Sequence, residues 1–98
     1  EGFQSLYFME LKISAEKLEK AAHEILEDSE CGDVFRIKGF VKLAEQGKDA
    51  SAAGNQWLEI NATRKEFSLK PISVGQEVVI VIGENMNEGR IRGYLERE

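Results

Sequence analysis

Residues 34–44, VFRIKGFVKLA, constrain the fold of this chain more than any other stretch. Two chemistries alternate along them. Phe35, Ile37, Val41 and Leu43 fall in one row with Gly39, and Arg36, Lys38, Phe40 and Lys42 fall in the other. Successive strand side chains point to opposite faces, so this is a long strand with one core face and one cationic face centred on an aromatic ring. Gly39 sits in the core row, where a strand glycine marks a bulge or the close approach of a neighbour such as a helix.

The other elements are read around that strand. Residues 3–11 (FQSLYFMEL) form a first strand, with Phe3, Tyr7, Met9 and Leu11 in one row beside Ser5, and Leu6 and Phe8 in the other. Both rows are partly apolar, which predicts a strand covered on both sides. Ser14 is an N-cap, and Ala15, Leu18, Ala21, Ala22, Ile25 and Leu26 then recur at helical spacing, with Gly32 placed to end that helix.

After the long strand, residues 46–56 (QGKDASAAGNQ) read as an extended hairpin loop. Leu58, Ile60 and Ala62 alternate with Trp57, Glu59, Asn61 and Thr63 in the next strand. A turn at 64–66 leads to a short strand holding Phe67 and Leu69, which Pro71 should stop or hold at an edge. Residues 77–83 (EVVIVIG) form a β-branched run expected in the sheet interior, covered on both faces. Asn87 caps a last helix with Ile91, Tyr94 and Leu95 as its stripe, and Met86 and Ile91 are placed for a hydrophobic staple.

The order β-α-β-β-β-β-α, with short turns between consecutive strands, predicts an α+β two-layer sandwich. Its sheet is mainly antiparallel with four to five strands, and two helices cover one face. The 98 residues make a single domain.

Composition narrows function by exclusion. A net charge of -5 argues against a general binder of nucleic acid or anionic membrane, since phosphate recognition needs surplus Lys and Arg. A single cysteine, Cys31, forbids an internal disulfide and suits a reducing compartment. No run of about eighteen apolar residues spans a bilayer and no signal peptide precedes the first strand, so the expected location is cytoplasmic. The start at Glu-Gly rather than Met is expected of a piece of a longer protein.

With two helices on one face, the other face should show Phe40, Trp57, Val79 and Val81, ringed by Arg36, Lys38, Lys42 and Glu59. An apolar centre with a charged rim is the anatomy of an interaction surface, and Trp and Arg are frequent hot-spot residues. Arg36, Lys38, Phe40, Lys42 and Trp57 are therefore the candidate interaction residues. No catalytic, cofactor-binding or metal site is assigned. His23 and Cys31 stand eight residues apart with a chain turn between them, and nothing else in the sequence supports pairing them as base and nucleophile. His23 with Glu19 or Glu27 supplies two ligands where zinc needs three or four. No GxxxxGK[ST] loop is present to hold a nucleoside triphosphate.

The segment Arg36-Ile37-Lys38-Gly39-Phe40-Val41 resembles the R-x-K-G-aromatic/aliphatic strand in the C-terminal domain of CobW-like proteins. Asp33-Val34 just before it, Trp57 after a variable loop, Val81-Ile82-Gly83 at a V-x-I-G strand end and the helix from Asn87 to Leu95 agree in order. The likeness covers almost the whole chain. It implies a P-loop GTPase family that handles zinc or cobalt, including cobalt insertion for cobalamin, with this chain as the accessory half. GTP and the metal then belong to the parent protein. The family's cysteine metal motif lies in the GTPase domain, and the histidine-rich segment that many members carry near this domain is missing from this chain. The implied partners are the GTPase domain of the same protein or a client metalloprotein. The alternatives are a stand-alone module binding a peptide or small anion on the same face, and a small enzyme using Cys31 or His23.

Overall fold

The periodicities resolve into five strands and two helices in a computed structural model that describes residues 2–42 and 57–96. In chain order they are β1 (Gln4–Met9), α1 (Ala15–Glu27), β2 (Asp33–Lys42), β3 (Trp57–Ala62), β4 (Phe67–Ile72), β5 (Val78–Glu84) and α2 (Glu88–Leu95). A short 3-10 turn at Ser29–Cys31 joins α1 to β2. The last residues expected in the long strand, 43–44, and the loop expected at 46–56 lie outside the described residues.

The strands form one sheet in the order β1-β5-β2-β3-β4, and every neighbouring pair is antiparallel. The β1–α1–β2 unit is thus split by β5, which inserts between its two strands. Both helices lie on one side. Leu18, Ala22 and Ile25 of α1 and Ile91 and Leu95 of α2 share one buried cluster with Phe8, Ile37, Ile60, Val79 and Val81 of the sheet. Each large aliphatic buried there contributes about 1.5–3 kcal/mol of transfer free energy. The result is the two-layer α+β sandwich that the element order implies.

Local chemistry sets the helix ends. Ser14 Oγ accepts from Lys17 N at 3.2 Å, and Asn87 Oδ1 accepts from Arg90 N at 3.1 Å, which satisfies a first-turn donor in each helix. Gly32, with φ +103°, ends the 3-10 turn rather than α1. A Cβ there would run into the Asn85 carbonyl, so the residue needs both a left-handed backbone and a bare Cα. α1 itself stops at Asp28, whose extended backbone leaves the helix while its N–H reaches Glu24 O at 2.9 Å.

Four sequence expectations need correction. Phe35 does not join the core row. A β-bulge between Val34 and Arg36 shifts the register against β5, which leaves Phe35 exposed and buries Val34. The bulged strand gains one residue, so parity before it is reversed. β1 is not covered on both sides: Phe8 is buried, while Phe3, Tyr7 and Met9 are 69%, 61% and 59% exposed. β5 is interior in strand order but covered mainly on one face, because Val79 and Val81 point to the helices and Ile80 and Ile82 are half-buried on the other side. Pro71 does not stop β4, which runs to Ile72. It pairs with Leu58 in an edge strand, where one side of the backbone has no ladder to feed.

Candidate functional site: an open sheet face

The bulge and the register together decide which side chains reach the uncovered side of the sheet. Beyond the bulge, Arg36, Lys38, Phe40 and Lys42 alternate away from Ile37, Gly39 and Val41, as the β2 pattern implies. Gly39 explains why the core row holds there: a Cβ would lie 3.0 Å from Val79 Cγ2 and 3.3 Å from Leu18 Cδ2. The helix seats directly on bare backbone. β3 adds Trp57, Glu59 and Asn61 to the open side, all half-buried, opposite Lys42, Phe40 and Lys38 respectively.

The cations on this face are held by their neighbours. Arg36 Nε donates to Asn61 Oδ1 at 2.8 Å. Lys38 Nζ lies 3.6 Å from Glu59 Oε2 and 5.8 Å from the Phe40 ring centroid. Lys42 Nζ sits 5.7 Å from the Trp57 ring centroid. Lys70 of β4 pairs across from Glu59 and is exposed. Each ring offers its negative face to an ammonium group, worth about 0.5–1 kcal/mol at exposed sites. Arg36, Lys38, Lys42 and Lys70 thus lie around Glu59 on this side of the sheet, although the chain as a whole is acidic, while Glu84 ends the Ile80–Ile82 row at the far end of β5.

All five candidate interaction residues therefore reach one face, but the apolar area is not centred where the sequence places it. The β4–β5 connection must cross the ends of β3 and β2, because β4 and β5 are not neighbours. It crosses over Trp57 and Phe40. A Cβ on Gly75 would lie 2.9 Å from Trp57 ring atoms and 3.2 Å from Phe40 Cδ1. This turn is a partial third layer of the same chain above Trp57. Val79 and Val81 are absent from the open face, and Ile80 and Ile82 replace them. Most of the large exposed apolar groups in the described residues lie across β1 and the bulge: Tyr7, Met9, and Phe3 stacked edge-on against Phe35 with centroids 6.0 Å apart; Leu69 on β4 and Val74 in the β4–β5 connection are the others. Sequence reasoning missed them because β1 is apolar in both rows. The absence of any charge between Phe3 and Met9 is compatible with a buried strand and with an exposed sticky one.

The other candidate residues sit elsewhere. His23 is exposed on α1, 3.9 Å from Glu19 and 5.3 Å centroid to centroid from Phe67. Cys31 is fully buried, and burial pushes its thiol up to about 11. Among the described residues no three His, Cys, Asp or Glu side chains converge as a metal cluster. A polar cluster that sequence reading did not foresee joins the ends of the helices. Asp28 accepts from Tyr94 Oη at 2.7 Å, from Arg90 Nε at 2.7 Å and from Glu30 N at 2.9 Å. These donors hold its carboxyl down at about 2. The same groups satisfy one another, as expected of a structural clamp.

No model of a known protein family matches the sequence, and no curated protein matches it. The fold is shared with part of a solved enzyme. The zinc-bound YjiA GTPase from E. coli superposes with a TM-score of 0.61 at 16% identity, and a zinc-bound triple mutant of YjiA GTPase gives 0.60 at 16%. In both cases 94% of this chain is covered but only 28% of the longer one. The chain thus spans about a quarter of the length of these structures. No helix among the described residues is long and apolar enough to cross a membrane.

Proposed function

We propose that this chain is a non-catalytic interaction domain of a CobW-like, GTP-dependent zinc or cobalt chaperone, and that its open sheet face docks the GTPase domain or a client metalloprotein. The observation that carries the reading is the face itself: Arg36, Lys38, Lys42 and Lys70 border Phe40, Trp57, Ile80 and Tyr7 on the side that no helix covers, with the turn at Gly75 lying over Trp57 and the edge of Phe40. The shared fold supports it, since the matching region is a minor part of a zinc-bound GTPase. The R-x-K-G strand agrees with the same family, and its glycine has a physical reason in the seat of Leu18 on Gly39. Nucleotide and metal chemistry belong to the parent protein in this reading. The domain supplies contact area and charge.

The test begins with the reading frame, which should carry a GxxxxGK[ST] segment outside this chain. The GTPase domain, expressed separately, should then bind this domain, and the double variant Phe40→Ala with Lys38→Glu should weaken binding at least tenfold. A frame without a P-loop, or unchanged binding by that variant to both the GTPase domain and the client, overturns the proposal. The frame alone would then favour a stand-alone module using the same face.

A further inference from the structure

The two edges of the sheet are built differently. β4, at one edge, carries Lys70 and Pro71, both devices that discourage another strand from pairing there. β1, at the other edge, has the sequence QSLYFM, with no charge, no proline and no glycine. Among the described residues nothing pairs with its outer side. Its open-face row is the most exposed apolar surface of the sheet, with Tyr7 and Met9 in the strand and Phe3 just before it. A six-residue edge with unsatisfied backbone donors and acceptors and apolar side chains is a template for strand addition.

We infer that a second copy of this chain pairs through β1, antiparallel to its mate about a two-fold axis normal to the sheet. Three observations select this occupant. An uncharged strand meets no like charge when paired with itself, so the local contact adds no repulsion to that of the net -5 of each copy. The carboxylate at the end of β1, Glu10, comes to lie beside the uncharged start of the partner strand in any centred antiparallel register. A two-fold axis of this kind keeps both open faces on one side, so the Tyr7 and Met9 rows of the two copies become neighbours and cover each other, and all four helices stay on the far side. The pair is a continuous ten-stranded sheet with one broad basic–aromatic face. A single strand pair buries little area, so the dimer is a weak and concentration-dependent one.

Sedimentation of the chain from about 10 µM to 1 mM tests this, since the mass should climb from the 11.0 kDa monomer toward twice that value. Tyr7→Lys, which puts a charge on the edge row, should weaken association at least tenfold, while Ser68→Lys on the opposite edge leaves it unchanged. Amide exchange across residues 4–9 should slow as concentration rises. Circular dichroism of each variant checks that the fold is intact, and the exchange series on the parent chain stands if Tyr7→Lys fails to fold. A chain that remains monomeric at 1 mM overturns the inference. So does association that Tyr7→Lys and Ser68→Lys affect alike, or that Phe40→Ala abolishes and Tyr7→Lys does not. All of these readouts are self-association of this chain with no GTPase domain present, so their failure is distinguishable from a failure of docking.

Discussion

Tyr94 of α2 donates its phenolic hydrogen to Asp28 at the end of α1 over 2.7 Å, and this bond ties the two helices together. Together with Arg90 and the Glu30 N–H, it holds the Asp28 carboxyl at about 2, against an ordinary 3.8. A carboxylate depressed by folding stabilises the native state above its unfolded value and loses that contribution as pH falls through the folded value. The stability attributable to Asp28 is therefore complete above about pH 4 and disappears toward pH 2. Urea midpoints measured from pH 5 to 2 should fall less steeply in Asp28→Asn than in the parent chain. In Tyr94→Phe, which removes the largest cause of the shift, the Asp28 contribution should be smaller and its loss should be complete at a higher pH than in the parent chain.

The layers and the helix caps were legible because they are local. Ser14 and Asn87 act on residues three positions away, and the α1 stripe repeats within one helix. What escaped depends on distant chain. Val34 and Phe35 are both apolar, so nothing in that pair says which of them turns inward. The clue lies fifty residues on, at Gly83, where a Cβ would strike the Asp33 carbonyl and come within 2.8 Å of Val34 Cα. The bulge needs that bare backbone opposite it. The run Val78 to Ile82 lacks alternation, so its parity is not written in it, and the expected Val79 and Val81 give way to Ile80 and Ile82 on the open face. The shift of exposed apolar surface to β1 followed from strand order, which sequence periodicity does not encode.

Gly83 and Gly39 separate two kinds of close approach. Alanine at Gly39 meets the tips of the Val79 and Leu18 side chains, which can give by a few tenths of an ångström, so the cost should be about 1–3 kcal/mol. Alanine at Gly83 meets backbone, which cannot yield without loss of the Val34–Arg36 bulge. Chemical denaturation should rank Gly83→Ala as the more damaging. Exposure of Phe35 should change in Gly83→Ala and not in Gly39→Ala, as read from ring resonances.

Arg64 provides α1 with the C-terminal cation that its own last turn lacks. Its Nε donates to Leu26 O at 3.0 Å and its second amine lies 3.2 Å from Asp33. The side chain reaches from the β3–β4 turn, which sequence reading treated only as a connection. Arg64→Ala should cost about 1 kcal/mol, the net worth of such a bond, with faster amide exchange confined to the last turn of α1. Uniformly faster exchange throughout the sheet would contradict this local role.

Cys31 gives the reverse of an activated nucleophile. Desolvation is the main cause that raises its thiol to about 11, and the Asp28 carboxylate adds to it. At neutral pH only a minute fraction is thiolate, and no surface is exposed to a reagent. Alkylation by iodoacetamide at pH 7.5 should be at least a hundredfold slower than for an unfolded control peptide, and should accelerate in urea in step with unfolding. Rapid native-state labelling would place the thiol in an accessible setting that this packing does not provide.

Trp57 is the sole tryptophan, so its fluorescence reports on one end of the open face. Its ring is pinned between the Lys42 ammonium at 5.7 Å and the bare Gly75 backbone. A methyl at Gly75 cannot fit against ring atoms 2.9 Å away, so either the ring or the crossing turn must swing outward. Both lie outside the core cluster, which limits the stability loss to about 1 kcal/mol or less, the usual range for changes away from buried packing. Gly75→Ala should therefore red-shift the emission and raise acrylamide quenching while the thermal midpoint barely moves. The same variant uncovers Phe40 without altering a charge, so a partner that grips the β2–β3 end should respond to it, and one that grips the β1–β5 half should not.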